Sequence, residues 1–172
     1  VSLSIFSPPY ANCFDYLEVY KLEVWLGGFA NDYSDFLTYR NSAMRSHVNS
    51  KFDHTFYSII EEVDCTSELI SSFNIWNKNI PDMIRGYFDD INRLLSQLYI
   101  TLIKGGKVYI IVANSVYKGI VVPTDLLISR LAKKVGFDVV KIGVARKIRA
   151  SSQQIPSVNK DLMRESVLEF VK

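Results

Sequence analysis

The feature that most constrains the fold is an apolar stripe at helical spacing between Asp82 and Leu102, followed at once by an apolar run. Pro81 suits the first turn of a helix, and the Gly105-Gly106 pair favours the left-handed backbone conformation that ends a helix after its last turn. Residues 107–113 are apolar at every position after Lys107, which is typical of a parallel strand that is covered on both faces. The sequence therefore predicts a helix, a tight turn and a buried strand.

The same unit recurs further along the chain. Pro123 precedes a second helical pattern that ends at Gly136, and residues 137–144 then have the character of a strand. After a polar loop, residues 165–171 alternate as a last strand, and such a loop joins the two strands more readily as an antiparallel hairpin than through a crossover helix. The predicted order is strand, long insert, helix, strand, helix, strand, strand, in one domain that spans residues 1–172.

A long insert separates the first apolar strand, residues 1–6, from the first of these helices. It takes about seventy residues, whereas a strand-to-helix connection usually takes about two to six. Residues 11–78 are therefore expected to form an elaborated region, with helix near 16–26 and 35–48, that acts as a lid or contacts the target.

Aromatic side chains crowd the start of this insert. Tyr16, Tyr20 and Trp25 recur at helical spacing, which favours core positions for them over contact with the target, although Tyr16 stays a candidate for such contact. Tyr10 and Phe14 stand beside the motif described below, and we expect them to line a pocket.

The composition excludes several classes of protein. The 172 residues are 48% hydrophobic and 22% charged, with a net charge of +2, which is ordinary for a globular domain and excludes a disordered or fibrous chain. Cys13 and Cys65 have no metal-ligand spacing, and His47 and His54 are expected to be polar surface or insert residues, so no metal site is expected. No apolar run approaches the length of a membrane span, and no membrane contact is expected.

The segment Ser7-Pro8-Pro9-Tyr10 directly follows the first apolar strand. It is therefore expected at the carboxyl end of a parallel strand, where open α/β sheets bind ligands. The prolines fix the backbone and remove two amide donors, which leaves the carbonyls of Ser7 and Pro8 to accept from a planar amine, while Tyr10 offers a ring for stacking. Such a cradle suits the exocyclic amino group of a base.

Two further features of the sequence bear on this ligand-binding edge of the sheet. Asn114-Ser115 ends the second predicted parallel strand, at the same edge of the sheet as Ser7. These residues either touch the target or the cofactor there, or cap the segment that follows. Residues 130–149 hold seven lysines or arginines and a single acid, Asp138. This stretch is either a ridge that follows phosphates or a solvated helix face with a charge-protected edge strand.

The motif Ser7-Pro8-Pro9-Tyr10 after an apolar strand resembles the catalytic motif of amino-group DNA methyltransferases. The serine version is commonest among the cytosine-N4 enzymes, and related versions mark adenine-N6 enzymes and several RNA or protein methylases. The resemblance extends over nearly the whole chain in the right order, through residues 10–16, 44–47, 105–109, 114–115, 151–154 and 164–166.

The resemblance implies direct transfer of a methyl group from S-adenosylmethionine to an exocyclic amine of DNA, cytosine N4 in preference to adenine N6, in a restriction-modification setting. The Ser7 side chain and the Pro8 carbonyl would orient the nitrogen, with no covalent enzyme intermediate. The target base would be flipped out and stacked on an aromatic ring. The fold implied is a Rossmann-like methyltransferase sheet, and the location implied is the bacterial or archaeal cytoplasm.

The chain departs from the family in one respect. Such enzymes have a Phe-x-Gly-x-Gly loop for the methionine part of the cofactor and an acidic residue on its ribose, and neither pattern is found here. We therefore expect the carboxyl half of the fold, parallel strands plus a terminal antiparallel hairpin, with the amino-terminal cofactor-binding half in the same gene or on a second chain. Without that half the first strand is an exposed sheet edge, which favours a dimer.

The candidate site residues fall into three groups. The catalytic group is Ser7, Pro8, Pro9 and Tyr10, and the cofactor-binding group is Ser7 and Asn114. The candidates for contact with DNA are Asn12, Phe14, Tyr16, Arg45, Lys141, Arg146, Arg149, Ser151, Ser152, Gln153 and Gln154. The alternatives left open are an RNA guanine-N2 or protein glutamine methylase, and a non-catalytic nucleic-acid-binding remnant or subunit of a split methyltransferase.

Overall fold

The computed structural model describes residues 1–53, 58–148 and 161–172. Its main feature is a four-stranded sheet in which the strands lie in the order β1-β2-β6-β5. These strands are β1 (Leu3–Phe6), β2 (Lys107–Ala113), β5 (Asp138–Lys147) and β6 (Arg164–Val171). A two-stranded ribbon, β3 (Ser115–Tyr117) and β4 (Ile120–Val122), follows β2 directly.

The sheet mixes parallel and antiparallel pairs. β1 lies parallel to β2, with Phe6 opposite Ile110. β6 lies antiparallel to both of its neighbours, β2 and β5, so the last strand of the chain is inserted between them. The predicted antiparallel hairpin of the last two strands is therefore confirmed.

Six helices lie among the described residues. Four short ones belong to the insert: α1 (Tyr16–Val19), α2 (Lys21–Leu26), α3 (Tyr33–Ser42) and α4 (Glu61–Ser71). The two longer ones are α5 (Ile80–Thr101) and α6 (Thr124–Val135). The helix predicted near 35–48 ends earlier, at Ser42, and residues 43–53 are not helical. None of these helices combines the length and hydropathy that a membrane span requires.

Helices α5 and α6 supply much of the core. α5 begins with proline in its first turn, and Met83, Tyr87 and Ile91 of its apolar stripe are completely buried. α6 ends where Gly136 takes a φ of +119°, and a side chain there would also approach the ring of Tyr99 to 3.0 Å. Glycine therefore both ends α6 and lets it pack closely against α5.

The two central strands, β2 and β6, have one buried face and one half-buried face. In β2, Val108, Ile110 and Val112 are buried, whereas Tyr109 and Ile111 are only partly so. The prediction that this strand is covered on both faces is therefore wrong for the described residues. The reason is that α6 packs on one face of β2, β5 and β6, which leaves the other face more open.

The aromatic residues of the insert also differ from the prediction. Tyr16, Tyr20 and Trp25 are 43%, 51% and 51% exposed, so they are not core residues in this structure. Tyr16 and Trp25 lie in α1 and α2, which have four and six residues and no buried side chain, and Tyr20 stands between the two helices. Helical spacing was present, but these short helices place no face against the core.

Candidate active site

Ser7 stands directly after β1, at the carboxyl end of that strand and beside the parallel strand β2. Its Oγ donates a hydrogen bond to the carbonyl oxygen of Ile111 at 3.1 Å, and the residue is exposed. Because a carbonyl oxygen can only accept, the hydroxyl proton is used in this bond. The lone pairs of Ser7 Oγ are not used in this bond, and the Ser7 side chain also interacts with the Tyr10 hydroxyl.

The loop after Ser7 is held at several points. Pro8 is buried and Pro9 is half-buried. The carbonyl oxygen of Ala11 accepts from the Tyr117 hydroxyl at 2.6 Å, and the amide of Cys13, a residue with a φ of +65°, donates to the carbonyl of Ser46 at 3.1 Å. These contacts with β3 and with the insert fix the course of the motif.

The Tyr10 side chain reaches across to β6. Its hydroxyl donates to Glu165 Oε1 at 2.6 Å, and burial together with that carboxylate raises the pKa of Tyr10. Arg146 on β5 donates from Nε to the other oxygen of Glu165 at 2.7 Å. The bonds from Arg146 and then Tyr10 lower the pKa of Glu165, so its carboxylate is ionised at neutral pH. No spacing in the sequence connects Glu165 with Tyr10, so Glu165 is not among the residues predicted for the site.

A small cleft of about 90 Å³ opens behind Pro9 and is lined by residues of the insert, among them Asp15, Tyr16, Met44 and His47. Asp15 Oδ2 accepts from Arg40 Nε at 2.9 Å and from Asn49 Nδ2 at 3.2 Å. Burial opposes ionisation of Asp15, but these bonds hold its pKa below the usual value.

His47, expected as a polar surface or insert residue, is buried beside Asp15. Its Nδ1 lies 3.6 Å from Asp15 Oδ2 and has no hydrogen-bond partner. Burial lowers the pKa of His47, although the neighbouring Asp15 opposes the shift. His47 is therefore neutral at pH 7, and no group of three metal-ligating side chains is found in the described part of the chain.

Asn114 is buried between β2, α6 and the start of β6. Its Oδ1 accepts from the amide of Asp125 at 3.1 Å, and its Nδ2 donates to the carbonyl of Leu162 at 2.9 Å. The Asn114 side chain thus accepts from an amide in the first turn of α6 that has no partner within the helix. This is the capping role, one of the two alternatives that the sequence allowed for Asn114.

Arg45, a candidate for contact with DNA, lies against α5. Its Nε and Nη2 donate to Asp90 at 3.1 and 2.6 Å, and its Nη2 also donates to Asp89 at 2.5 Å. These carboxylates, Asp90 first, raise the pKa of Arg45 and compensate its charge within the chain.

Two aromatic candidates remain accessible next to the motif. Phe14 and Tyr16 are 42% and 43% exposed, and their rings meet edge to face with centroids 4.7 Å apart. Asn12 Oδ1 accepts from the amide of Phe14 at 3.2 Å and so shapes the turn that leads into this pair.

The basic stretch is partly compensated by acids and carbonyls. Arg130 Nε donates to Glu62 at 2.9 Å, and Lys147 Nζ donates to Asp161 at 3.0 Å. Lys134 Nζ donates to the carbonyl of Ile59 at 2.6 Å. Lys141 is exposed on β5 opposite Glu169. The remaining candidates lie outside the described residues, as does His54; they are Arg149, Ser151, Ser152, Gln153 and Gln154.

Comparison with known proteins shows similarity to DNA-modifying enzymes. No family model matches the chain. It is 28% identical over 191 residues to the Type II methyltransferase M.BsoBI of Geobacillus stearothermophilus, covering 98% of this chain and 38% of that protein. It is 29% identical over 183 residues to the Type II methyltransferase M.AvaI of Anabaena variabilis, covering 98% of this chain and 37% of that protein. The chain thus spans less than two fifths of the length of these relatives.

Among solved structures, the chain is similar to TTHA0409 of Thermus thermophilus, described as a putative DNA modification methylase. The selenomethionine form aligns with a TM-score of 0.43 at 20% identity, over 62% of this chain and 50% of that one. The form in complex with S-adenosyl-L-methionine aligns with a TM-score of 0.44 at 18% identity over the same shares.

Proposed function

We propose that this chain is the carboxyl half of a Rossmann-like methyltransferase sheet and carries the amine-binding side of a DNA methyltransferase. The preferred target is cytosine N4, with adenine N6 second. The observation that carries the proposal is the placement of Ser7 at the carboxyl end of β1. Its hydroxyl donates its proton to the Ile111 carbonyl of β2, so its oxygen can act as an acceptor. Similarity to two Type II methyltransferases over nearly the whole chain supports it.

The chemistry assigned to this chain is orientation of the amine. An exocyclic amino group has two hydrogens, and two acceptors, Ser7 Oγ and the Pro8 carbonyl, would receive them and aim the nitrogen lone pair at the methyl donor. As the nitrogen gains positive charge, hydrogen bonds to these oxygens strengthen, which lowers the barrier. A proton then leaves the product amine for water, and no bond to the enzyme is formed.

Cys13 is the residue that an alternative, attack on cytosine C5 by a thiolate, would require. Its Sγ lies 3.8 Å from the Met83 sulfur and 3.4 Å from the Tyr117 hydroxyl. Burial raises the pKa of the Cys13 thiol, which disfavours the nucleophilic thiolate. This supports transfer to an amine in preference to transfer to carbon.

S-adenosylmethionine is the cofactor that we propose, and it supplies the methyl group when bound. The residues present fit the acceptor side of such a site, since the bond to Ile111 uses the proton of Ser7 and leaves its oxygen at the strand end as an acceptor. The Asn114 side chain, expected to touch the cofactor, has its amide engaged by Asp125 and Leu162. We therefore assign most of the cofactor contacts to a partner half, in the same polypeptide or on a second chain.

The outer edge of β1 is where we place that half. β1 pairs with β2 on one side, and Leu3 and Ile5 are 49% and 62% exposed. An apolar edge strand with unpaired backbone groups is a site for another strand to add.

The DNA side of the site is assigned to the insert, residues 11–78, and to the basic stretch. Phe14 and Tyr16 offer exposed rings beside the motif for an extruded base. Lys141 is the described candidate of the basic stretch whose charge is most available for a phosphate, because Arg146 is bound to Glu165.

The test is transfer of a tritiated methyl group by the whole protein to DNA, tRNA and protein in parallel, followed by nucleoside analysis of the labelled product. We expect label in DNA, as N4-methylcytosine. Cys13→Ser is a matched control that should retain transfer. Label in tRNA or protein, or 5-methylcytosine that disappears with Cys13→Ser, would contradict the proposal.

A further inference from the structure

Glu165 joins the motif to the last strand of the chain. It stands opposite Ala113 at the carboxyl end of β2, and β2 separates β6 from β1. The bond of 2.6 Å from the Tyr10 hydroxyl to Glu165 therefore passes over the end of β2. Two segments 155 positions apart in sequence meet at this point.

The carboxylate is itself held from two directions. Arg146 binds it from β5 at 2.7 Å, and the side chain of Glu165 is only 14% exposed. On the opposite face of β6, Arg164 and Ser166 donate to Asp125 of α6 at 2.7 and 2.8 Å. A short bond from a phenol to an ionised and anchored acceptor restricts the rotation of the tyrosine ring.

The same strand contains a matching arrangement away from the motif. Glu169 Oε1 accepts from the Tyr109 hydroxyl at 2.9 Å and from Lys107 Nζ at 3.2 Å. It lies on the same face as Glu165 and about 13 Å further along, given the rise per residue of a strand. The chemistry of phenol, carboxylate and cation is the same, but this second set lies far from Ser7.

We propose that Glu165 is a positioning residue that fixes the ring of Tyr10 beside Ser7, so that the ring presents one face to the base whose amine is methylated. The inference rests on the proposed function. Arg146, which the sequence indicated as a contact to DNA, acts in this arrangement by holding Glu165.

The structure predicts the effect of each substitution. Glu165→Ala frees the ring and lowers kcat about tenfold, the worth of one charged hydrogen bond, with KM for S-adenosylmethionine unchanged. Glu165→Gln retains most of kcat, because the amide oxygen still accepts from the phenol. Tyr10→Phe lowers kcat to a similar extent, and combining it with Glu165→Ala adds little, since both remove the same bond.

The experiment measures these rates in the whole protein, with Glu169→Ala as the matched control, and also titrates the Tyr10 phenol by difference absorbance against Tyr10→Phe. We expect Glu165→Ala to lower the pKa of Tyr10 and to reduce kcat, while Glu169→Ala changes neither. An unchanged phenol titration overturns the contact. Normal kcat in Glu165→Ala, or a loss of kcat that is additive with Tyr10→Phe, overturns the positioning role.

The two proposals fail in different ways. If the wild-type protein transfers no methyl group to DNA while the phenol titration still responds to Glu165→Ala, the proposed function is wrong and the positioning role falls with it, but the contact stands. If the wild type transfers methyl groups and Glu165→Ala matches it, only the present inference is overturned.

Discussion

Replacing Asp125 with alanine is expected to loosen the start of β6, the strand that carries Glu165. The Asp125 carboxylate is completely buried between α6 and the sheet. Its Oδ2 accepts from Arg164 Nε at 2.7 Å and from Ser166 Oγ at 2.8 Å. Alanine would leave both donors without this acceptor inside the protein.

The magnitude follows from the burial of the partners. Removing one member of a buried ion pair costs about 3–5 kcal/mol, because the other charge stays behind uncompensated. The Arg164 side chain is 20% exposed, so water compensates part of the loss. We therefore expect a decrease of about 3 kcal/mol in the free energy of opening of β6. Asp125→Asn keeps one acceptor oxygen, and the expected decrease is smaller.

The assay is hydrogen–deuterium exchange of peptides from β6 in the whole protein, where protection reports local opening. Asp138→Ala is the matched control, since that acid lies exposed at the start of β5 in the same hairpin. Its effect should stay within about 0.5 kcal/mol. Unchanged protection of β6 in Asp125→Ala, or an equal loss in Asp138→Ala, would refute the reasoning.

Three further predictions concern pH, salt and association. Because the pKa of His47 is lowered in the folded protein, the unfolded chain binds more protons below about pH 6.5, and the stability of the insert should fall as the pH drops through that value. His47→Asn should flatten this pH dependence, measured as hydrogen–deuterium exchange of insert peptides. Lys141→Ala should reduce the slope of log affinity for DNA against log salt by about 0.9, whereas Arg146→Ala, which removes a cation bound to Glu165, should change that slope less. Residues 1–172 on their own should self-associate through β1 in light scattering, and Ile5→Lys on the exposed edge should suppress this; an equally associated variant would exclude the edge as the cause.

The long elements of the fold could be predicted because their patterns are strong. The stripe of α5, the apolar run of β2 and the glycine that ends α6 each agree with the structure to within a few residues. Helix α4 was missed because its buried positions Val63, Ser67 and Ile70, although at helical spacing, include a serine, so only two apolar residues mark the stripe.

The short ribbon β3–β4 was also missed, although the sequence contains a signal for it. Lys118 and Gly119 both have positive φ values, 50° and 83°, as a tight two-residue hairpin turn requires. A lysine in place of the more usual asparagine or aspartate weakens that signal, and strands of three residues give almost no alternation.

The candidate site was predictable in part. The rule that ligands bind at the carboxyl ends of parallel strands placed Ser7 at the end of β1 beside β2, as the structure has it. Glu165 could not be found in this way, because its meeting with Tyr10 depends on the insertion of β6 between β2 and β5. That order is decided by tertiary packing and leaves no mark in local spacing.

The most direct test of the central claim is methyl transfer to DNA by Ser7→Ala in the whole protein, compared with Ser2→Ala as an exposed control on the same segment. The Ser7 side chain is exposed, donates to Ile111 and also interacts with Tyr10, so its loss should cost about 1 kcal/mol of stability. Loss of an orienting acceptor at the transition state is worth about 3 kcal/mol, or about a hundredfold in rate. We expect that decrease for Ser7→Ala and a normal rate for Ser2→Ala. A normal rate in Ser7→Ala would contradict the assignment of this motif as the amine-binding centre.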